Sequence, residues 1–328
     1  MRLFPGESAM WRSGISSGPV ATAVRAGGSS RPQLASIPNR RLLIRTSVTV
    51  GTSADAGVIK IQQIPAPGSG YVRVLLLNRP EARNAISKSL LNALRFHVDS
   101  IAAEEGNGPT RALVIGSNIN EAFCAGADLK ERREMTKDET AAFLSKLRST
   151  FAKLDALPIP TISAVSSMAL GGGLELALCT QLRVFGSSSI VGLPETRLAI
   201  IPGAGGTYRL PRLIGESRAL DLILTGRRVS APEAYFLGLC NRLVEVTPEE
   251  ESKDPGGRNK VLQESIKLAL DISEGGPIAI KQALRAVRQF HQGEAAENAA
   301  YDGVINTEDR LEALQAFAEK RKPMFRGR

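Results

Sequence analysis

Residues 164–212 read AVSSMALGGGLELALCTQLRVFGSSSIVGLPETRLAIIPGAGGTYRLPR, and the architecture follows from them. The stretch opens inside an apolar, β-branched run, TISAV (161–165), that fits a buried strand. Three glycines, Gly171, Gly172 and Gly173, then start an apolar segment that carries one acid, Glu175. A second acid, Glu195, follows, and behind it a second glycine cluster, Gly203, Gly205 and Gly206. Glycines just ahead of a helix leave backbone N–H groups unpaired and let a ligand approach closely. A carboxylate inside an otherwise apolar helix costs free energy unless it has a partner or a task. Two such acids, each beside a turn with exposed amides, form a candidate acid/base pair with an anion hole. That pattern points to an enzyme.

Upstream, Val58 to Ile64 and Val72 to Leu77 read as two strands of a hairpin around a PAPGSG turn. Ser87 is a good N-cap for a helix in which Leu90, Leu91, Leu94, Val98 and Ile101 recur at helical spacing. A short buried strand is expected at 112–115, followed by a loop of small residues, SNINEAFCAGADLKER. A helix from about 138 to 154 places Phe143, Leu147, Phe151 and Leu154 on one face. Downstream, strands at 182–185 and 190–193 precede helices near 206–213, 216–224 and 231–237, and a last strand holds Val244 and Val246. The polar segment TPEEESKDPGGRN (247–259) reads as the boundary of the core, and everything after Lys260 is helical in pattern. Alternating strands and helices with a helical tail define an α/β protein with a C-terminal helical extension.

The chain has 328 residues, 43% hydrophobic and 23% charged, enough apolar material for a sizeable core. Its net charge of +9 is unevenly placed: residues 1–50 hold seven arginines, no lysine and one acid, for +6. An Arg-, Ser- and Ala-rich, acid-poor start is the composition of a mitochondrial transit peptide, with cleavage expected between Arg41 and Ala56. The remaining body is close to neutral, which argues against nucleic-acid binding; the helix after Ser87 offers only Lys88 and Arg95. No apolar run is long enough to span a membrane. The three scattered cysteines and two histidines make neither a disulfide framework nor a metal cluster, so no metal is expected. Nucleotide-binding glycine loops and a GxSxG nucleophile elbow are also lacking.

Three motifs in order, FCAGADLKER, LGGGLELAL and GLPETRLAIIPGAGGTYRLPR, resemble the enoyl-CoA hydratase/isomerase (crotonase) superfamily. The similarity runs from about Val58 to the C-terminus. Its finer wording, with ALGGGLELAL, ETRLAIIPGAGG and the tail DRLEALQAFAEKRKP, resembles the methylglutaconyl-CoA hydratase branch, which includes an AU-rich-RNA-binding animal member. The resemblance implies a spiral of ββα units over residues 56–250, with a C-terminal helical trimerisation region over 255–328. It implies an acyl-CoA substrate, no separate cofactor because coenzyme A belongs to the substrate, and trimers or dimers of trimers. The implied activity is hydration of an enoyl-CoA, 3-methylglutaconyl-CoA first and short-chain enoyl-CoAs of fatty-acid oxidation second.

Residue by residue, the resemblance makes Glu175 the water-activating acid and Glu195 the proton donor. It assigns the two N–H donors of an oxyanion hole to Ala127 and Gly172. Gly172 also suits that role from its place at a helix start, where the dipole adds to the amide. Contacts to coenzyme A are implied for Ala82, Arg83, Lys130, Phe317 and Lys320, the last two toward a neighbouring subunit. Arg132 and Arg133 are candidates to face an extra substrate carboxylate. Three departures stand near these motifs. Ser166-Ser167 replaces the usual Asp-Gly or Asn-Gly, which would strain Ser167 if the turn needs a positive φ. Thr180-Gln181 and Tyr208 are also unusual, and are expected to alter pocket shape rather than reaction type.

Overall fold

A computed structural model describes residues 57–328 and the backbone of one short strand, β1 (Ser47–Thr49). Apart from that strand, the expected leader and its cleavage site lie outside the described residues. β1 pairs antiparallel with β2 (Ile59–Pro65), and β2 with β3 (Tyr71–Leu77), the hairpin the alternating apolar runs predict. α1 (Lys88–Ala102) starts where the Ser87 hydroxyl accepts the Leu90 N–H at 3.1 Å.

A repeating unit then begins. β4 (Thr110–Ser117) is followed by the short β5 (Ala122–Cys124), then α2 (Leu129–Glu134) and α3 (Lys137–Asp155). β6 (Thr161–Val165) is followed by β7 (Met168–Leu170) and α4 (Gly172–Leu178). β8 (Leu182–Gly186) is followed by β9 (Ile190–Gly192), a 3-10 turn at Pro194–Leu198, α5 (Gly206–Ile214) and α6 (Glu216–Thr225). β10 (Arg228–Ser230), α7 (Ala231–Phe236) and β11 (Arg242–Val244) close the spiral. The first strand of each unit joins a large sheet ordered β1-β2-β3-β4-β6-β8-β11; the second joins a small one ordered β10-β9-β7-β5. This is the spiral of ββα units that the resemblance implies. A helical tail follows: α8 (Pro248–Ser252), α9 (Gly256–Ile272), α10 (Pro277–Arg288), α11 (Glu294–Asp302) and α12 (Glu308–Ala318).

The strands β3, β4, β6, β8 and β11 run parallel. Parallel strands covered on both faces read as continuous apolar runs, which is why TISAV is buried throughout. One face of the large sheet packs Val114, Ile162 and Val184 against Val261, Leu262 and Ile266 of α9. The other packs Leu113, Ile115 and Phe185 with residues of α1, α3, α4 and the small sheet.

Three differences from the sequence reading have physical causes. β5, β7 and β10 span three residues each, too few for a period-2 pattern to emerge. The segment read as a boundary folds into α8 and the first turn of α9, because Thr247 and Glu250 form a reciprocal capping box. Ser167 is not among the residues with positive φ; its hydroxyl donates to the Glu121 carbonyl at 3.0 Å, so the expected strain is not there.

Candidate active site

Two carboxylates arrive from successive turns of the spiral. Glu175 sits on the first turn of α4, 2% exposed, and Glu195 on the 3-10 turn after β9, 8% exposed. Gly171 lies between them. Its carbonyl accepts the Glu175 N–H at 3.0 Å, and a Cβ on it would fall 2.9 Å from Oε1 of Glu195. Oε1 of Glu175 accepts two backbone N–H groups, Ala204 at 2.7 Å and Gly206 at 2.8 Å. Thus the second glycine cluster is a cradle for the first acid. Arg209 braces that cradle from behind: its guanidinium donates to the Ala204 carbonyl at 3.0 Å and pairs with Asp155 at 3.0 Å.

Burial raises the pKa of Glu175, while the Gly206 and Ala204 amides and the nearby Arg209 and Arg148 charges oppose the rise. Glu195 has less opposition. Burial pushes it up to about 7, and the charge of Glu175 adds to the rise. Its Oε2 is buried with no protein partner. One acid is therefore held by amides while the other is poised to exchange a proton near neutrality.

The anion hole also takes shape from backbone geometry. Ile86 and Ala127 form a parallel bridge in which Ile86 N–H donates to Gly126 O at 2.7 Å and Asp128 N–H to Ile86 O at 3.2 Å. Those bonds use the neighbours of Ala127 and leave its own N–H on the opposite side. Gly172 is the first residue of α4, so its N–H has no carbonyl one turn back. A Cβ built on Gly172 would stand 3.8 Å from the Ala127 nitrogen, which puts the two amides side by side. Glu175, Glu195, Ala127 and Gly172 all line one cavity of about 650 Å³. Its far wall is apolar, built from Phe143, Leu144 and Leu147 of α3 with Leu198, Ile200 and Ile201.

The residues expected to meet coenzyme A are dispersed. Ala82 ends a 3-10 turn and Arg83 caps it; the Arg83 carbonyl accepts the Ala125 N–H at 3.0 Å, which ties this loop to the one carrying Ala127. Lys130 is exposed on α2, beside Leu129 of the cavity wall. Phe317 and Lys320 are exposed at the end of α12, and neither lines the cavity. Thr180, Gln181 and Tyr208 do not line it either, so these departures leave the shape of this pocket alone. Thr180 is buried and bonds Ser163 and the Ala177 and Leu182 carbonyls. The sequence reading missed Arg209 and the part of Gly171; the density of glycines hinted only at the second.

The profile of the enoyl-CoA hydratase/isomerase family matches residues 68–328, and the chain belongs to that family. It is 57% identical to methylglutaconyl-CoA hydratase 1, mitochondrial, of Pyricularia oryzae, over 83% of this chain and 87% of that one. It is 40% identical to the mitochondrial methylglutaconyl-CoA hydratase of Homo sapiens, over 82% of this chain and 77% of that one. Among solved structures, the enoyl-CoA hydratase of Bacillus anthracis superposes with a TM-score of 0.74 at 41% identity, covering 83% of this chain and all of that one.

Proposed function

We propose that this protein hydrates an enoyl-CoA thioester, with 3-methylglutaconyl-CoA as substrate and 3-hydroxy-3-methylglutaryl-CoA as product, a step of leucine breakdown. The observation that carries the reading is the pair of buried carboxylates flanking Gly171 beside the two unpaired amides of Ala127 and Gly172. In this scheme the thioester oxygen accepts both N–H groups, which stabilises the enolate as negative charge reaches it. A donor of that kind is worth about 3–4 kcal/mol at the transition state. Glu175, ionised and fixed by its two amides, takes a proton from water, and the oxygen adds to C3. Glu195 delivers the proton to C2. The name carried by the Pyricularia and human relatives supports the acyl group. Coenzyme A enters as part of the substrate, and no cofactor takes part.

The same relatives, named as mitochondrial, support a mitochondrial address, and the basic leader composition supports the matrix. A homotrimer or dimer of trimers would cover the large apolar side chains left exposed along α7, α10 and α12, among them Phe236, Val287, Leu311 and Phe317. On α1, Lys88 pairs with Glu139 and Arg95 with Asp99, which leaves a poor surface for an RNA backbone. A general short-chain hydratase is the second reading, favoured by the apolar wall of α3.

The test is kcat/KM of the leaderless protein on 3-methylglutaconyl-CoA and crotonyl-CoA, with Glu175→Gln and Glu195→Gln as controls. Preference for the first, lost in both variants, supports the proposal. Preference for crotonyl-CoA moves the protein to fatty-acid oxidation, and turnover of neither overturns the hydratase reading.

A further inference from the structure

The cavity holds buried polar atoms of two side chains that no protein group satisfies: Oε2 of Glu195, and Nε and Nη2 of Arg132. Proton transfer accounts for the first. Nothing in the hydration scheme uses the second.

Arg132 lies in the last turn of α2 with its guanidinium over the ring of Phe143, 5.4 Å from the centroid. Stacking on an aromatic face orients a guanidinium but satisfies none of its five N–H donors. The acids around it are engaged elsewhere. Oδ2 of Asp128 takes Arg79 at 3.2 Å, and Oε2 of Glu131 accepts the Lys88 N–H at 2.8 Å. Oε1 of Glu175 holds the Ala204 and Gly206 amides. The other arginine of the wall, Arg148, donates Nε to the Gly203 carbonyl at 2.7 Å. Arg133, one residue further along α2, is exposed and outside the cavity. Burial lowers the pKa of Arg132 and the charge of Glu175 opposes that, yet no carboxylate bonds its buried Nε and Nη2. A cation kept partly out of water with N–H donors unbonded is costly, and a bidentate carboxylate is the ligand a guanidinium matches best.

We propose that Arg132 is the acyl-group selector of this site, binding the distal carboxylate of a diacid enoyl-CoA whose thioester lies on Ala127 and Gly172. The inference rests on the proposed enoyl-CoA site and narrows it. An acyl chain ending in a carboxylate gains the charge pair; one ending in a methyl group leaves Arg132 unpaired.

Binding tests this apart from catalysis. Glutaryl-CoA and butyryl-CoA, saturated and unreactive, are titrated calorimetrically into the full-length protein and into Arg132→Gln and Arg132→Lys. The wild type is expected to favour glutaryl-CoA by roughly tenfold to a hundredfold, as a charge-assisted pair allows. Arg132→Gln erases that preference and Arg132→Lys restores part of it. Equal weakening of both ligands in Arg132→Gln would place the guanidinium on the coenzyme A phosphates and overturn the proposal. So would an unchanged ratio. Because neither ligand is turned over, failure of hydration activity leaves this outcome readable.

Discussion

A side chain at Gly171 would collide with a proposed catalytic acid: its missing Cβ would lie 2.9 Å from Oε1 of Glu195. The backbone there has φ +53° and ψ −125°, a region that L-residues rarely enter. The carboxylate and the glycine are thus complementary in shape, and the same glycine carbonyl anchors the Glu175 N–H. Gly171→Ala is expected to lower kcat/KM on the preferred enoyl-CoA by about a hundredfold, since a misplacement near 1 Å has that order of effect. The backbone strain adds a stability loss on the order of 1–3 kcal/mol. Steady-state kinetics with a parallel urea melt measures both; wild-type kinetics in this variant would refute the shape argument.

Arg209 acts through Ala204 rather than on substrate. It is 8% exposed, bonds the Ala204 carbonyl and pairs with Asp155, and its charge lowers the pKa of Glu175. Gly205 is open to it: a Cβ there would stand 2.0 Å from the guanidinium Nη1. Removing the cation leaves Glu175 harder to ionise. Arg209→Gln should therefore move the acidic limb of the pH–kcat profile to higher pH and lower kcat on that limb by roughly tenfold or more. A purely structural role would lower the melting temperature and leave that limb in place. Lysine, which lacks the planar fork, is expected to rescue the limb only in part.

How far these features could be read in advance depended on the length scale of each signal. The hairpin, α1 and the wall of α3 carry periodic apolar residues over seven or more positions, and all were legible. The small sheet was not, because its strands are three residues long and are held by neighbours far apart in sequence, such as β7 between β5 and β9. Glu175, Glu195 and Gly172 stood out because acids in apolar runs and glycine clusters are locally anomalous. Ala127 and the coenzyme A residues came from resemblance alone. Arg209 gave no local signal: Ala204 lies five residues before it, but Asp155, 54 residues away at the end of α3, meets it only in the fold. Arg132 and Arg133 were indistinguishable as letters, and only the placement of α2 separates them.

Glu195 sets an opposition between activity and stability. Burial first, then the charge of Glu175, raises its pKa to about 7 in the folded protein from 4.5. A carboxylate with a raised folded-state pKa binds more protons folded than unfolded between those values. Stability contributed by its neutral form is present below about pH 4.5 and is lost as pH rises to about 7. With partial solvent access discounted, the loss is on the order of 1–2 kcal/mol above pH 7. Glu195→Gln, neutral throughout, should accordingly raise the melting temperature at pH 8 while leaving it close to wild type at pH 5, and should abolish turnover at both. Scanning calorimetry at the two pH values decides it; an equal shift at both would place the origin outside ionisation.

The other two glycines of the triplet differ in what surrounds them, and that difference predicts separable failures. A Cβ on Gly173 would lie 2.1 Å from the Cys124 carbonyl oxygen and 2.8 Å from its carbonyl carbon, both backbone of β5. Neither atom can move without breaking the seat of α4 against the small sheet, so Gly173→Ala is expected to yield insoluble or grossly destabilised protein. A Cβ on Gly172 instead meets the tip of Ile86 at 3.3 Å, a side chain able to give way, at a backbone conformation open to alanine. That variant should fold. Its methyl group would nevertheless stand 3.8 Å from the Ala127 nitrogen, in the space where the thioester oxygen must sit between two amides. The amide itself is kept, but pushing the oxygen out of reach of one such donor costs roughly a hundredfold to a thousandfold in kcat. Gly172→Ala is therefore expected to be soluble, to melt within a few degrees of wild type and to lose kcat on that scale, and Gly173→Ala to fail at expression. Soluble, active Gly173→Ala would contradict the packing of α4 on β5, and fully active Gly172→Ala would contradict the position of the anion hole.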